Sequence, residues 1–148
     1  MNDDQAMYLA LEEARAATEH EDVPVGALVI VEGEVVSSRH NERQLTGDPT
    51  AHAEILALRD AATRLGTWRL DAATLVTTLE PCPMCAGAAV NARIKHLIFG
   101  AHDPKAGATE TLYNLLADPR LNHQAQITSG VLADECGEIL TSFFAERR

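Results

Sequence analysis

The sequence predicts a three-layer α/β/α sandwich with a mixed central sheet, and three observations carry that expectation. Amphipathic helical stretches alternate with short aliphatic or β-branched strands along almost the whole chain. The first two strands read as a hairpin over 26–39, so the sheet mixes antiparallel and parallel pairs. No repeat, low-complexity tract or linker-like stretch divides the 148 residues, and that length suits a single domain spanning 1–148.

The elements follow in order. Residues 4–19 put Met7, Leu11, Ala14 and Thr18 on one stripe and acids on the other, an amphipathic helix. "GALVIV", "EGE" and "VVSSR" make the hairpin, and "HNERQLTGDPT" a polar loop. Asp48-Pro49-Thr50 is a start signal for a helix over 51–65. "ATLVTTL" is a strand, "PMCAGAAVNARI" a small-residue helix and "KHLIFGA" another strand. The loop "HDPKAGATE" precedes a short helix near 110–117, and "AQITSG" adds a strand. The last helix, 131–147, turns Leu132, Cys136, Ile139, Leu140 and Phe143 inward.

Composition narrows the function classes. Hydrophobic residues make up 46% and charged residues 23%, as in ordinary globular proteins. No apolar run is long enough to span a bilayer, and the acidic start "MNDDQAMYLALEE" is unlike a secretory signal, so no membrane partner is expected. Three cysteines, two of them three apart, do not make a disulfide framework; a reducing cytoplasm and a metal or catalytic role fit better. The net charge of −10 opposes phosphate binding. Nine of the acids lie within residues 1–38, where Arg15 is the sole base, and the remainder of the chain is close to neutral. A nucleic acid therefore has room to dock away from the first helix and hairpin.

The chemistry concentrates at "TLEPCPMCAGA", residues 78–88. With Cys82 capping a helix and Pro83 at its first position, Cys85 lies about one turn on, and both sulfurs converge beside the helix N-terminus. The positive end of the helix dipole favours the thiolate form that binds metal. A Cys-x-x-Cys pair alone is only moderately specific, and a redox dithiol is the competing reading. "PTAHAEILALR" adds His52 and Glu54 thirty residues upstream. One imidazole and two thiolates give zinc three ligands and leave a fourth position for water, whose pKa the metal brings towards neutrality. Glu54 is then placed to move that water's proton. Residues two apart in a regular helix point roughly 200° apart. The metal must therefore lie at the helix end, or the first turn must be irregular. Cys136 as a fourth ligand would close the site into a structural one, but its place on an apolar stripe predicts core packing. His20, His40, His96, His102 and His123 read as surface or loop residues.

These residues resemble the zinc-dependent cytidine deaminase-like superfamily, whose signature is His-x-Glu with Pro-Cys-x-x-Cys. "VPVGALV", "HNER", "DPTAHAEILALR", "FGAHDPKAGA" and "LNHQAQITSGVLADECGEILTSFFAERR" are similar to the bacterial tRNA-specific adenosine deaminase family, from about residue 23 to the end. The resemblance implies a cytoplasmic homodimer that converts the wobble adenosine of a tRNA anticodon stem-loop to inosine. It implies one zinc ion per chain, held by His52, Cys82 and Cys85, with Glu54 as the proton shuttle. Asn41 matches the family's base-binding asparagine, and Asp103 and Lys105 match positions in a loop that contacts neighbouring nucleotides. Phe143 and Phe144 match an aromatic pair near an RNA-binding C-terminus. Periodicity assigns Phe143 to the core and leaves Phe144 to stack on a base. Arg147 and Arg148 are candidates for phosphate. The lysine-rich tail of many members is not in this sequence, and recognition then rests on shaped contacts to a splayed single-stranded loop.

Three other readings share some of these features. A free nucleobase or nucleoside deaminase acting on guanine, cytosine or cytidine would use the same zinc chemistry and suit an acidic surface. A non-catalytic zinc-stabilised binding module would close the metal site and give Glu54 no role. A redox protein would form a reversible disulfide between Cys82 and Cys85.

Overall fold

The computed structural model describes residues 1–147. Helix α1 (Asp3–Ala17) starts from a capping box: Asn2 accepts the Gln5 amide at 2.8 Å, and the Gln5 side chain accepts the Asn2 amide at 2.9 Å. Its stripe of Met7, Leu11 and Ala14 is fully buried, and the helix tightens into a 3-10 turn over Thr18–His20. Strands β1 (Gly26–Val31) and β2 (Glu34–His40) are joined by Glu32 and Gly33, at φ 52° and 79°. Two left-handed residues in sequence give the turn twist that a two-residue hairpin needs.

Strands β3 (Ala73–Leu79), β4 (His96–Ala101) and β5 (Gln126–Thr128) complete a sheet of order β2-β1-β3-β4-β5. β1 runs antiparallel to both β2 and β3, whereas β3, β4 and β5 are mutually parallel, so the sheet is mixed as expected. Successive strand residues serve opposite faces. Leu75, Leu97 and Phe99 pack with α3 (Ala53–Leu65) and α4 (Pro83–Ala92). Val76 and Ile98 pack with α1 and with Cys136 of α5 (Ala133–Ala145). This is the three-layer sandwich that the sequence predicts. Among the described residues, no helix is long and apolar enough to cross a membrane.

Two local expectations are corrected. The polar loop contains a one-turn helix, α2 (Arg43–Thr46), whose Gln44 and Leu45 amides are held by the buried Asp22 carboxylate. The helix expected near 110–117 is absent: the segment is a run of turns, and the amides of Thr109, Glu110 and Thr111 at its start donate to the Glu80 side chain. The carboxyl ends of parallel β3 and β4, the usual place for a ligand crevice in an α/β sheet, open onto this loop and the start of α4.

Gly26 shows how closely the layers approach. A Cβ there would overlap the Ala10 carbonyl oxygen and stand 2.7 Å from the Ala14 nitrogen, both backbone atoms of α1. Gly26→Ala is expected to destabilise the protein by about 1–3 kcal/mol. Urea unfolding with wild-type stability would contradict this.

Candidate active site

Helices α3 and α4 begin at one spot, and the residues at their N-caps are His52 and Cys82. Both caps are extended (φ −77°, ψ 149° and φ −73°, ψ 174°), and neither side chain makes a capping hydrogen bond. Pro83 takes the first helical position, as predicted, and places Cys85 one turn on. The concern about residues two apart is resolved, because His52 precedes the helix and Glu54 lies in its first turn. The free Ala53 amide of α3 is capped from outside by Asn41 Oδ1 at 2.8 Å. That arrangement leaves the imidazole free for other work.

His52 Nδ1 lies 3.6 Å from Cys82 Sγ and 3.4 Å from Cys85 Sγ. A tetrahedral zinc site with ordinary Zn–S and Zn–N bonds puts a nitrogen and a sulfur about 3.6 Å apart. The three donor atoms thus stand as ligands of one ion would, and the donor set fits zinc. A hydrogen bond from the Cys85 thiol, with another from His52, holds the Cys82 thiol down at about 4. The same bond to Cys82, with burial, pushes the Cys85 thiol up, and the bond to Cys82 raises His52. Metal binding at this group displaces the shared protons.

Glu54 is 4% exposed, and burial pushes its carboxyl up to about 7 against the opposing pull of its own amide and His52. A carboxyl poised there exchanges protons near neutrality. Glu54, His52, Cys82 and Asn41 share a cavity of about 220 Å³ with Glu80 and Asp103. That volume lies below the roughly 300–1,000 Å³ of pockets for whole drug-sized ligands. One planar base matches it better than a nucleotide does.

The other predicted contacts divide. Asn41 is buried, with Nδ2 donating to the Val23 carbonyl at 2.9 Å and Oδ1 serving α3, so one hydrogen and one lone pair remain for a ligand. Asp103 spans the cavity and an adjoining groove of about 590 Å³, and its Oδ1 accepts the Lys105 and Ala106 amides. Lys105 and Phe144, which is 49% exposed, line only the groove. Phe143 is 6% exposed and meets Phe144 edge-on at 5.3 Å, as the helical period predicts. Arg147 is engaged at home, 2.8 Å from Glu21 and stacked 3.7 Å from the Phe143 ring; Arg148 lies outside the described residues. Cys136 is buried in the α1–α5 layer, 4.0 Å from the Val131 carbonyl and away from the other two thiols.

Glu80 is a further residue of the site that no sequence motif marks. It is 2% exposed, and it accepts the amides of Asp103 (3.1 Å), Thr109 (3.1 Å), Glu110 (2.8 Å) and Thr111 (2.9 Å), with the Thr111 hydroxyl as a further donor. These bonds outweigh its burial and hold it down at about 2. The only signal was its place, an acid directly after an apolar strand and before Pro81-Cys82.

Comparison with known proteins agrees with this geometry. The MafB19-like deaminase model matches residues 1–148. The tRNA-specific adenosine deaminase of Bacillus subtilis is 50% identical over 146 residues, covering 99% of this chain and 91% of that protein. The Haemophilus influenzae protein of the same name is 44% identical over 147 residues, 99% of this chain and 85% of that one. The chain belongs to the tRNA-specific adenosine deaminase family. A solved structure from studies of A-to-I editing by tRNA:A34 deaminases superposes with a TM-score of 0.88 at 44% identity, over 92% of this chain and 99% of that one. The guanine deaminase of Nitrosomonas europaea superposes with a TM-score of 0.81 at 27% identity, over 96% and 84%. The cytidine deaminase-like fold is therefore common to base- and tRNA-directed members, and identity divides them.

Glu80 also gives this member of the family a pH signature. Its carboxyl is lowered from 4.5 to about 2 on folding, so its stabilisation is present above 4.5 and lost as pH falls towards 2. Glu80→Gln is expected to lower stability at pH 7 and to narrow its gap to wild type between pH 4.5 and 2. Parallel denaturation curves at every pH would contradict the assignment.

Proposed function

We propose that this chain hydrolyses the wobble adenosine of a tRNA anticodon to inosine. The observation that carries the reading is Glu54, buried and poised near neutrality, in a base-sized cavity beside the His52, Cys82 and Cys85 donor set. Its place within a family of that activity supports the choice of substrate.

His52, Cys82 and Cys85 would hold one zinc ion per chain. When bound, zinc supplies the Lewis acidity that makes water nucleophilic near neutral pH. Glu54 takes a proton from the attacking water as the oxygen adds to the six-position carbon of the purine. It delivers that proton to the ring nitrogen. A second transfer through the same carboxylate carries the proton of the newly added hydroxyl to the amino group, which leaves as ammonia and yields the carbonyl of inosine. Asn41 offers its spare hydrogen and lone pair to the purine edge. The target base must leave its stack to enter so small a cavity. The groove beside it, with Lys105 at its rim and Phe144 exposed, accommodates a flanking nucleotide by stacking and charge. The reading places the enzyme in the cytoplasm as a homodimer.

The deciding experiment incubates zinc-replete protein with an arginine anticodon stem-loop and, separately, with adenosine, guanine, cytosine and cytidine. Inosine from the stem-loop, with the free compounds inert, is the expected result. Ammonia from guanine or a pyrimidine alone would overturn the tRNA reading and retain the metal chemistry. Glu54→Ala is expected to keep its zinc and lose about 10²–10⁴-fold or more in turnover. Undiminished turnover in that variant would remove Glu54 from the proton path.

A further inference from the structure

We propose that His20 and His40 form a second metal site, which takes one divalent transition-metal ion such as zinc. His20 lies in the 3-10 turn after α1, and His40 ends β2. Their Nε2 atoms face each other at 3.2 Å, with ring centroids 5.2 Å apart. Each ring is fixed from behind: His20 Nδ1 lies 2.6 Å from Asp22 Oδ2, and His40 Nδ1 lies 2.7 Å from Glu13 Oε1.

Carboxylates only accept hydrogen bonds when ionised, so each Nδ1 donates to its carboxylate and the two Nε2 atoms face each other as a pair that a cation, whether a metal ion or a shared proton, can bridge. Two lone pairs at 3.2 Å repel unless a cation stands between them. Two nitrogen ligands at ordinary zinc distances lie about 3.4 Å apart on a tetrahedral edge, close to the observed separation. A carboxylate behind each imidazole is the usual support of a ligating histidine, and here both have one. A divalent ion matches the two carboxylates in charge, where a shared proton neutralises only one. The rings are 17% and 20% exposed, which leaves an approach for the ion and for waters to complete its shell.

The carboxylates link the pair to the rest of the fold. Asp22 also holds the Gln44 and Leu45 amides of α2, and Glu13 also accepts the Ser38 hydroxyl at 3.1 Å. An ion at the pair ties the end of α1 to the end of β2, and through Asp22 to the segment that carries Asn41 and Arg43 to the cavity. The inference does not depend on the proposed reaction.

The test is a calorimetric titration of untagged protein, loaded with one equivalent of zinc and desalted, using zinc alone. A second equivalent per chain is expected, at least about tenfold weaker than the first because it has two protein ligands rather than three. His20→Ala and His40→Ala should each abolish the second equivalent and retain the first. The retained tight equivalent reports that each variant is folded. No further uptake by the zinc-loaded wild-type protein would overturn the proposal and leave a shared proton between the rings. A second equivalent that survives in both variants would overturn it equally.

Discussion

The structure depends on two helices starting at the same place without capping themselves. Each helix N-terminus carries amides that need acceptors and a positive end of its dipole. In α3 and α4 the residues at the caps are His52 and Cys82, and neither supplies the missing acceptor. For α3 the acceptor comes from Asn41, at the exit of β2. The imidazole and the thiol are thereby released to face one another, and the two helix ends favour the thiolate. Replacing either cap by an ordinary serine or aspartate would satisfy a helix and remove a donor from the group. Local stability and the functional donor set compete for the same two positions.

The opposite wall of the cavity obeys a similar economy. Residues 102–125 contain no regular helix or strand, yet Asp103 must be fixed for the cavity to keep its shape. One buried carboxylate does much of this. Glu80 accepts amides from both arms of the loop, and Gly107 passes so close that a Cβ there would run into its carboxyl group. Because Glu80 immediately precedes Pro81-Cys82, the loop and the thiols are registered to the same stretch of backbone. Asn41 and Glu80 therefore play matching parts, each a polar side chain that supplies acceptors which the backbone does not.

What was legible in the sequence follows from periodicity and from spacing. The strands and the long helices have apolar repeats of two or about three and a half residues, and all of them appear close to their expected bounds. Cys82, Pro83 and Cys85 are one local motif, so their geometry was legible before any fold was known. The turns at 110–117 were not, since the carboxylate that anchors the start of that segment lies some thirty residues earlier. Nor was α2, held by Asp22 from across the fold. The pairing of His20 with His40 was hidden for the same reason: the partners are twenty residues apart and belong to no shared motif. Contacts made by side chains to distant backbone leave no period in the sequence.

The acidity of the chain bears on how such an enzyme meets RNA. Nine acids precede Ser38, and α1 packs on the sheet face opposite α3 and α4. The paired helix N-termini are therefore on the other side of the sheet from the most acidic helix. Arg147 does not relieve the charge, because it is committed to Glu21 and to the Phe143 ring. General attraction to phosphate is consequently weak, and salt dependence should be correspondingly shallow for a nucleic-acid enzyme. Selectivity in the proposed reading must come from the cavity itself. A cavity of about 220 Å³ admits a base only after it has left its stack, and an unpaired anticodon loop yields its bases at the least cost. Shape at the site, rather than charge across the surface, then determines which adenosine is changed.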